Sequence, residues 1–75
     1  MSDLTLDATG LKCPLPVLKA NKAIKQVQPG GMLEVLATDP GSIEDFAAFC
    51  DTGGHNLLEQ SEDDGVFRFI IRVGG

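Results

Sequence analysis

The sequence predicts an α/β (α+β) two-layer sandwich of order βαβαββ, with two helices on one face of a mixed four-stranded sheet. Three observations predict this fold: apolar spacing switches repeatedly between strand-like and helix-like periods, Gly and Pro punctuate the segments, and the chain has only 75 residues. A chain of this size buries only about 60% of its unfolded surface. We therefore expect one domain with one modest core over residues 1–75.

The first half of the chain reads as strand, helix and strand. Residues 4–8 alternate and predict a short strand, and Gly10 opens a loop. Residues 14–27 contain no glycine and predict a helix that stops at Pro29 and Gly30. The predicted apolar stripe of this helix consists of Val17, Ala20, Ile24 and Val27, widened by Leu18. Residues 32–38 are dense in Leu and Val and predict a central strand.

The second half predicts a helix followed by a hairpin. Asp39 is the expected N-cap, Pro40 suits the first turn, and Gly53 and Gly54 end the helix. The predicted core stripe of this helix is Ile43, Phe46, Ala47 and Cys50. Residues 56–62 predict a weaker strand, and residues 63–65 signal the hairpin turn. Residues 66–73 predict the last strand, whose inward face holds Phe67, Phe69, Ile71 and Val73 and whose other face holds Arg68 and Arg72.

This element order has a consequence for function. Right-handed crossovers would place both helices on one face of the sheet and leave the other face uncovered. If the first two strands are parallel, the loops that carry Cys13 and Asp39 lie at the same end of the sheet, where open α/β sheets bind ligands. The uncovered face must be polar or an interface.

Charge is unevenly distributed along the chain. The net charge is −5, yet residues 8–33 hold no acid and four lysines, Lys12, Lys19, Lys22 and Lys25. This segment predicts docking to an acidic partner through Lys19, Lys22, Lys25 and the nearby Asp39, although a solvated helix face fits equally well. The overall charge makes direct nucleic acid binding unlikely as a function.

Composition excludes several other classes. No apolar run is long enough to span a bilayer, and residues 1–4 hold no hydrophobic signal segment, so we expect a cytoplasmic protein without membrane association. Two cysteines and one histidine are too few for a zinc site, and two cysteines are too few for a disulfide framework. We expect no metal and no cofactor.

Cys13 is the predicted reactive residue. It falls at the expected N-cap of the first helix, where the helix dipole and the free amides of Leu15 and Val17 favour the thiolate. Lys12 adds positive charge, while Pro14 and Pro16 stiffen the helix start. Such settings lower a thiol pKa from about 8.5 to roughly 3.5–7.5. An inert cysteine that only caps the helix is the alternative.

The surroundings of Cys13 restrict its chemistry. No Cys-His pair is evident, which argues against a cysteine hydrolase, and no Cys-x-x-Cys motif supports a disulfide oxidoreductase. His55 is expected to be a surface or turn residue, Asp39 a helix cap that could also tune Cys13, and Cys50 a core residue. What remains is a single nucleophilic sulfur on a small carrier, which could accept a group from one protein and hand it to another. Persulfide sulfur suits such a transfer, because it needs only a good nucleophile and a good leaving group.

The segment 6–17, with Cys13-Pro14-Leu15-Pro16 at its centre, resembles the signature of the TusA/SirA-like sulfur carriers, whose hallmark is Cys-Pro-x-Pro. Similarity extends over nearly the whole chain. The resemblance implies the βαβαββ sandwich and a persulfide-bearing Cys13. It implies a sulfurtransferase that acts as a carrier rather than a stand-alone enzyme.

The resemblance also implies partners. A cysteine desulfurase or rhodanese-like protein would supply sulfur, and a TusD/DsrE-like protein would accept it, for tRNA thiolation or dissimilatory sulfur oxidation. Leu15 departs from the acidic residue frequent at this position in the tRNA pathway, which favours the sulfur-oxidation or a generic carrier branch. Two other functions stay open: a redox-sensing thiol protein, and a non-catalytic docking module that uses the lysine helix on a protein or RNA.

Overall fold

The computed structural model describes residues 3–12 and 15–74. Its elements are β1 (Leu4–Ala8), α1 (Leu15–Ala23), a single 3₁₀ turn (Ile24–Gln26), β2 (Met32–Ala37), α2 (Ser42–Gly53), β3 (Asn56–Asp63) and β4 (Val66–Arg72). The predicted order βαβαββ is confirmed. Neither helix within the described ranges has the length and apolarity needed to cross a membrane.

The four strands form one mixed sheet in the order β1-β2-β4-β3. β1 runs parallel to β2, and β4 runs antiparallel to both of its neighbours. Strands β1, β2 and β3 therefore all point the same way. Their carboxyl ends meet at one end of the sheet, called here the C-terminal end, where Ala8 pairs with Ala37.

The core lies between this sheet and the two helices. Alternate residues of β2 and β4 face the helices, and the ring of Phe46 on α2 stacks on that of Phe69 at a centroid distance of 4.8 Å. The fully buried members of the core from the strands are Ala8, Leu33, Val35, Ala37, Phe69 and Ile71. Burial of this apolar surface is the main force that holds the two layers together.

Helix α1 packs through a face that overlaps the predicted one, since Ala20 and Val27 are buried and Val17 packs against the core. Its buried residues are Pro16, Ala20 and Ala23, followed by the buried Val27 after the 3₁₀ turn. Leu18 is 53% exposed, so its predicted place in the core stripe is wrong. The reason is geometric: two residues along a helix turn the side chain by about 200°, which carries Leu18 away from the buried Pro16.

Helix α2 also departs from the prediction at two points. It begins at Ser42 with Gly41 at the N-cap, so the predicted N-cap at Asp39 is wrong. The backbone makes a turn before the helix begins, because the amide of Ser42 donates a hydrogen bond of 2.9 Å to the carbonyl of Asp39. Ala47 is exposed, and Ser42, Phe46 and Cys50 are the buried residues of the helix. Its C-terminus agrees with the sequence, since Gly54 takes the left-handed conformation that ends many helices.

The β3–β4 hairpin closes through a tight turn at residues 64–65. Asp64 and Gly65 have φ values of 53° and 81°, the left-handed pair that two-residue hairpin turns require. β3 extends one residue beyond the predicted 56–62, while β4 ends at Arg72, one residue before the predicted Val73. The register of the hairpin shifts between Leu57 and Glu59, which marks a β-bulge at Leu58.

The second face of the sheet is uncovered by any helix of the described residues, as the sequence predicts. The Arg68 guanidinium binds the Glu34 carboxylate on β2 and lies 3.7 Å from the Glu59 carboxylate on β3. Glu34 also accepts a hydrogen bond of 3.1 Å from the hydroxyl of Thr5. The bond from Arg68 holds the pKa of Glu34 below its ordinary value of 4.5. This ion pair ties β2 to β4 across the open face.

We expect Glu34→Gln to lower the free energy of unfolding near neutral pH by about 0.5–1 kcal/mol, the modest value of a partly exposed ion pair. Because folding lowers the pKa of Glu34, this stabilisation is complete above the unfolded pKa and is lost as the pH falls through the folded pKa. Urea unfolding followed by circular dichroism should show the gap at about pH 7 and its closure near about pH 3. Glu62→Gln, at an exposed position of the same sheet, serves as the control. A gap that persists in acid would contradict the assignment.

Candidate functional site

Cys13 and Pro14 lie outside the described residues, so the residues on either side define the site. The amide of Leu15 donates a hydrogen bond of 2.9 Å to the carbonyl of Lys12. The predicted role of Leu15 as a free donor for the sulfur is therefore wrong, because its N–H is already used. Lys12 is exposed, and its predicted electrostatic role stays a prediction.

The loop between β1 and α1 is fixed by short hydrogen bonds. Thr9 donates its amide at 3.0 Å and its hydroxyl at 2.6 Å to the carboxylate of Asp7, and these bonds lower the pKa of Asp7. The amide of Leu11 donates to the carbonyl of Ala8 at 3.3 Å, around Gly10 with its φ of 80°. These contacts hold the chain that leads into Cys13.

A cross-loop bond joins the two loops at the C-terminal end of the sheet. The amide of Gly10 donates to the hydroxyl of Thr38 at 2.9 Å. Thr38 directly follows β2 and precedes Asp39, which is half-buried. The loops on either side of this bond are thus adjacent, as predicted from the parallel pairing of β1 and β2.

Helix α1 begins at Leu15. Its first turn holds no acidic residue, so no carboxylate there opposes the positive end of the helix dipole. Pro16 is fully buried and anchors this first turn to the core. Its fixed φ suits a helix start. The arrangement on the carboxyl side of Cys13 thus favours an anion.

An exposed apolar patch with a basic rim lies on α1. Leu15 and Leu18 are 48% and 53% exposed. Together with Leu11, Lys19 and Lys22 they line a shallow cavity of about 220 Å³, called here the α1 patch. The sequence pattern predicts the lysines as a docking surface but places Leu18 in the core stripe, so it misses the apolar part of the patch. The signal was present, because residues 15, 18, 19 and 22 repeat at the helical spacing i, i+3, i+4, i+7. Lys25 is exposed in the 3₁₀ turn beyond the patch.

Cys50 is a core residue, as predicted. Only 4% of its surface is exposed, and burial raises the pKa of its thiol to about 11. A protonated, enclosed thiol is a poor nucleophile at neutral pH. Cys50 sits late in α2, and α2 leads to the start of β3, at the end of the sheet opposite to the loop that carries Cys13.

His55 is half-buried at the end of the sheet remote from the Cys13 loop, just before β3. Its ring lies 5.4 Å from that of Phe49, and its Nδ1 accepts the amide of Gly74 at 2.9 Å. These contacts pack His55 against Phe49 of α2 and Gly74, in the connection between α2 and β3, where the sequence predicts a surface or turn residue. Among the described residues, no group of three or more His, Cys, Asp or Glu side chains could hold a metal ion.

Several known proteins are similar to this chain in sequence or in fold. The profile of the family described as "Sulfurtransferase TusA" matches residues 4–73. The chain belongs to the TusA family. A Neisseria meningitidis protein whose name describes it provisionally as a sulfur carrier is 57% identical over 72 residues, 96% of this chain and 97% of that one. The sulfur carrier protein TusA of Allochromatium vinosum is 49% identical over 70 residues, covering 93% of this chain and 92% of that protein.

A solved structure agrees with this membership of the TusA family. The crystal structure of a SirA-like protein from Desulfitobacterium hafniense superposes with a TM-score of 0.82 at 31% identity, covering 96% of this chain and 99% of that one. The predicted family and its sandwich fold are therefore confirmed. Membership supports a sulfur carrier role for this TusA-family chain.

The burial of Cys50 predicts a clear difference between the two thiols. In a Cys13→Ser variant, where Cys50 is the only cysteine, we expect no alkylation by iodoacetamide at about pH 8 in the native state. In urea the same variant should take up one label per chain, as counted by intact-protein mass spectrometry. The Cys50→Ser variant is the matched control that keeps Cys13. Native labelling of Cys50 as fast as in urea would contradict its enclosure.

Proposed function

We propose that this TusA-family protein carries sulfane sulfur as a persulfide on Cys13 and relays it between two proteins. The observation that carries the proposal is the Cys13-Pro14-Leu15-Pro16 motif, whose last two residues begin helix α1, in a chain of the TusA family. The acid-free first turn of α1 and the positive end of its helix dipole support a thiolate there. The exposed Lys12 adds to this effect.

The transfer needs no cofactor. The Cys13 thiolate attacks the outer sulfur of a persulfide on the donor protein, forming a new S–S bond. The donor's own S–S bond breaks, and the electron pair leaves on the donor thiolate. Repetition with an acceptor thiolate returns Cys13 to its starting state. Each step exchanges one S–S bond for another, so no external oxidant or reductant enters.

We infer from the family resemblance that the donor is a cysteine desulfurase or a rhodanese-like protein and that the acceptor is TusD/DsrE-like. The α1 patch supports docking of an acidic partner, since Leu15 and Leu18 offer apolar contact and Lys19 and Lys22 offer positive charge. Lys25 and Asp39 are the predicted outer members of that surface. The downstream pathway, tRNA thiolation or sulfur oxidation, and the cytoplasmic location stay predictions.

Loading of Cys13 is the first test. Incubation with a cysteine desulfurase and cysteine should add the mass of one sulfur atom, removable by reductant, to the wild type and to Cys50→Ser. Cys13→Ser should gain none, because Cys50 is enclosed. Intact-protein mass spectrometry reads all three, and thiosulfate with a rhodanese supplies a second donor. Loading of Cys13→Ser, or no loading of the wild type by either donor, would refute the carrier proposal. Peroxide reactivity without loading would favour a redox sensor.

The α1 patch gives a second prediction. Leu18→Ser combined with Lys22→Glu should raise the KM for desulfurase-driven loading about tenfold, equivalent to about 1.4 kcal/mol of docking energy. Loading by inorganic polysulfide should be unchanged, because that donor needs no protein surface. Leu58→Ser, at another exposed leucine remote from α1, is the matched control. An equal loss with polysulfide would mean that the substitutions damage Cys13 or the fold rather than docking.

A further inference from the structure

We propose that the open face of the sheet binds helix α1 of a second copy of this chain, giving a weak head-to-tail association. The face contains a recess of about 670 Å³, called here the open-face recess. The recess is lined by three apolar side chains and by three charged ones, namely Met32, Leu58, Ile70, Glu34, Glu59 and Arg68. The association requires no persulfide chemistry, so it stands or falls separately from the carrier function.

The recess has an apolar part that the fold does not cover. Ile70 belongs to β4, which lies between β2 and β3, and its side chain lines the recess. Only 8% of Ile70 is exposed, and the half-buried Met32 lines the same recess. The bulge in β3 presents Leu58 on the same face at 49% exposure. An exposed leucine beside a buried isoleucine gains from contact with another apolar surface.

The lining of the recess holds one more carboxylate than guanidinium, while Arg72 lies further along β4 on the same face. One guanidinium, that of Arg68, serves two carboxylates, those of Glu34 and Glu59. The Glu59 side chain is 60% exposed and is held only at 3.7 Å, whereas the Glu34 side chain is 19% exposed and directly bound. The carboxylate of Glu59 can therefore accept a further hydrogen bond from a basic side chain of another molecule.

The α1 patch has the complementary properties. Leu15 and Leu18 project from it at 48% and 53% exposure, and Lys19 and Lys22 flank them. Leucines would meet Leu58 and Ile70, while a lysine would meet Glu59. A helix laid on the second face of a sheet is also the common way in which proteins cover such a face.

The geometry selects a second copy in head-to-tail order. α1 covers the helix side of the sheet and the recess lies on the other side, so one molecule cannot join its own two surfaces. Two recesses facing each other would bring excess negative charge together and are disfavoured. The contact uses two different surfaces, so it does not close on itself.

If the carrier proposal also holds, self-association covers the same α1 patch that a sulfur donor needs. Donor and second copy would then compete for one surface. A high concentration of the carrier would slow its own loading.

Sedimentation equilibrium of the full chain in reducing buffer tests the association. At about 0.15 M salt, where the Debye length of about 8 Å screens whole-molecule repulsion, the average mass of the wild type should rise continuously as the concentration approaches about 1 mM. Leu18→Ser and Leu58→Ser should each stay monomeric. A mixture of the two should form dimers and nothing larger, because one intact patch and one intact recess remain.

Charge variants supply the matched control. Glu59→Gln should weaken the association. Glu62→Gln removes the same charge from the same strand, but Glu62 pairs with Phe67, whose side chain faces the helices, so this variant should associate like the wild type. A monomeric wild type at the highest concentration would refute the proposal. So would association that survives Leu58→Ser, or a variant mixture that stays monomeric. None of these results would change the loading of Cys13, so the carrier proposal is tested separately.

Discussion

The parallel pairing of β1 with β2 is the constraint on which the site depends. It places Ala8 beside Ala37, so the chain leaves both strands at the same end of the sheet. The bond from Gly10 to Thr38 then joins the two loops that follow. An antiparallel pair would send these loops to opposite ends of the sheet. The direction of the strands alone thus determines at which end of the sheet the loop that carries Cys13 begins.

The order and type of the elements could be predicted from sequence because each carries its own periodicity and punctuation. The hairpin turn at Asp64 and Gly65 and the helix end at Gly54 are local signals of backbone conformation, and both are confirmed. Packing faces were less predictable. Leu18 and Ala47 fit an apolar stripe, yet each is exposed, because a short helix offers two overlapping stripes and only contact with the sheet decides between them.

Local signals in the sequence also predict only part of the candidate site. A helix start near Leu15 could be predicted from the two prolines. The hydrogen bond from the Leu15 amide to the carbonyl of Lys12 could not, since it depends on the backbone conformation rather than on any pattern of side chains. The enclosure of Cys50 followed from its apolar neighbours. The ion pair between Glu34 and Arg68 could not be predicted, because it joins residues far apart in sequence through the register of β2 and β4.

The acidic hairpin has a further effect on how other proteins approach. β3 runs parallel to β1, so Asp63 and the turn at Asp64 lie at the same end of the sheet as the Cys13 loop. They are three strand spacings away, about 14 Å, from β1. The charge at that end therefore sets up an uneven field, with Lys12 in the loop after β1 and the carboxylates of Asp63 and Asp64 on the far side. Such a field rotates an incoming protein before contact, and its influence falls mainly on the association rate and on the orientation of encounter.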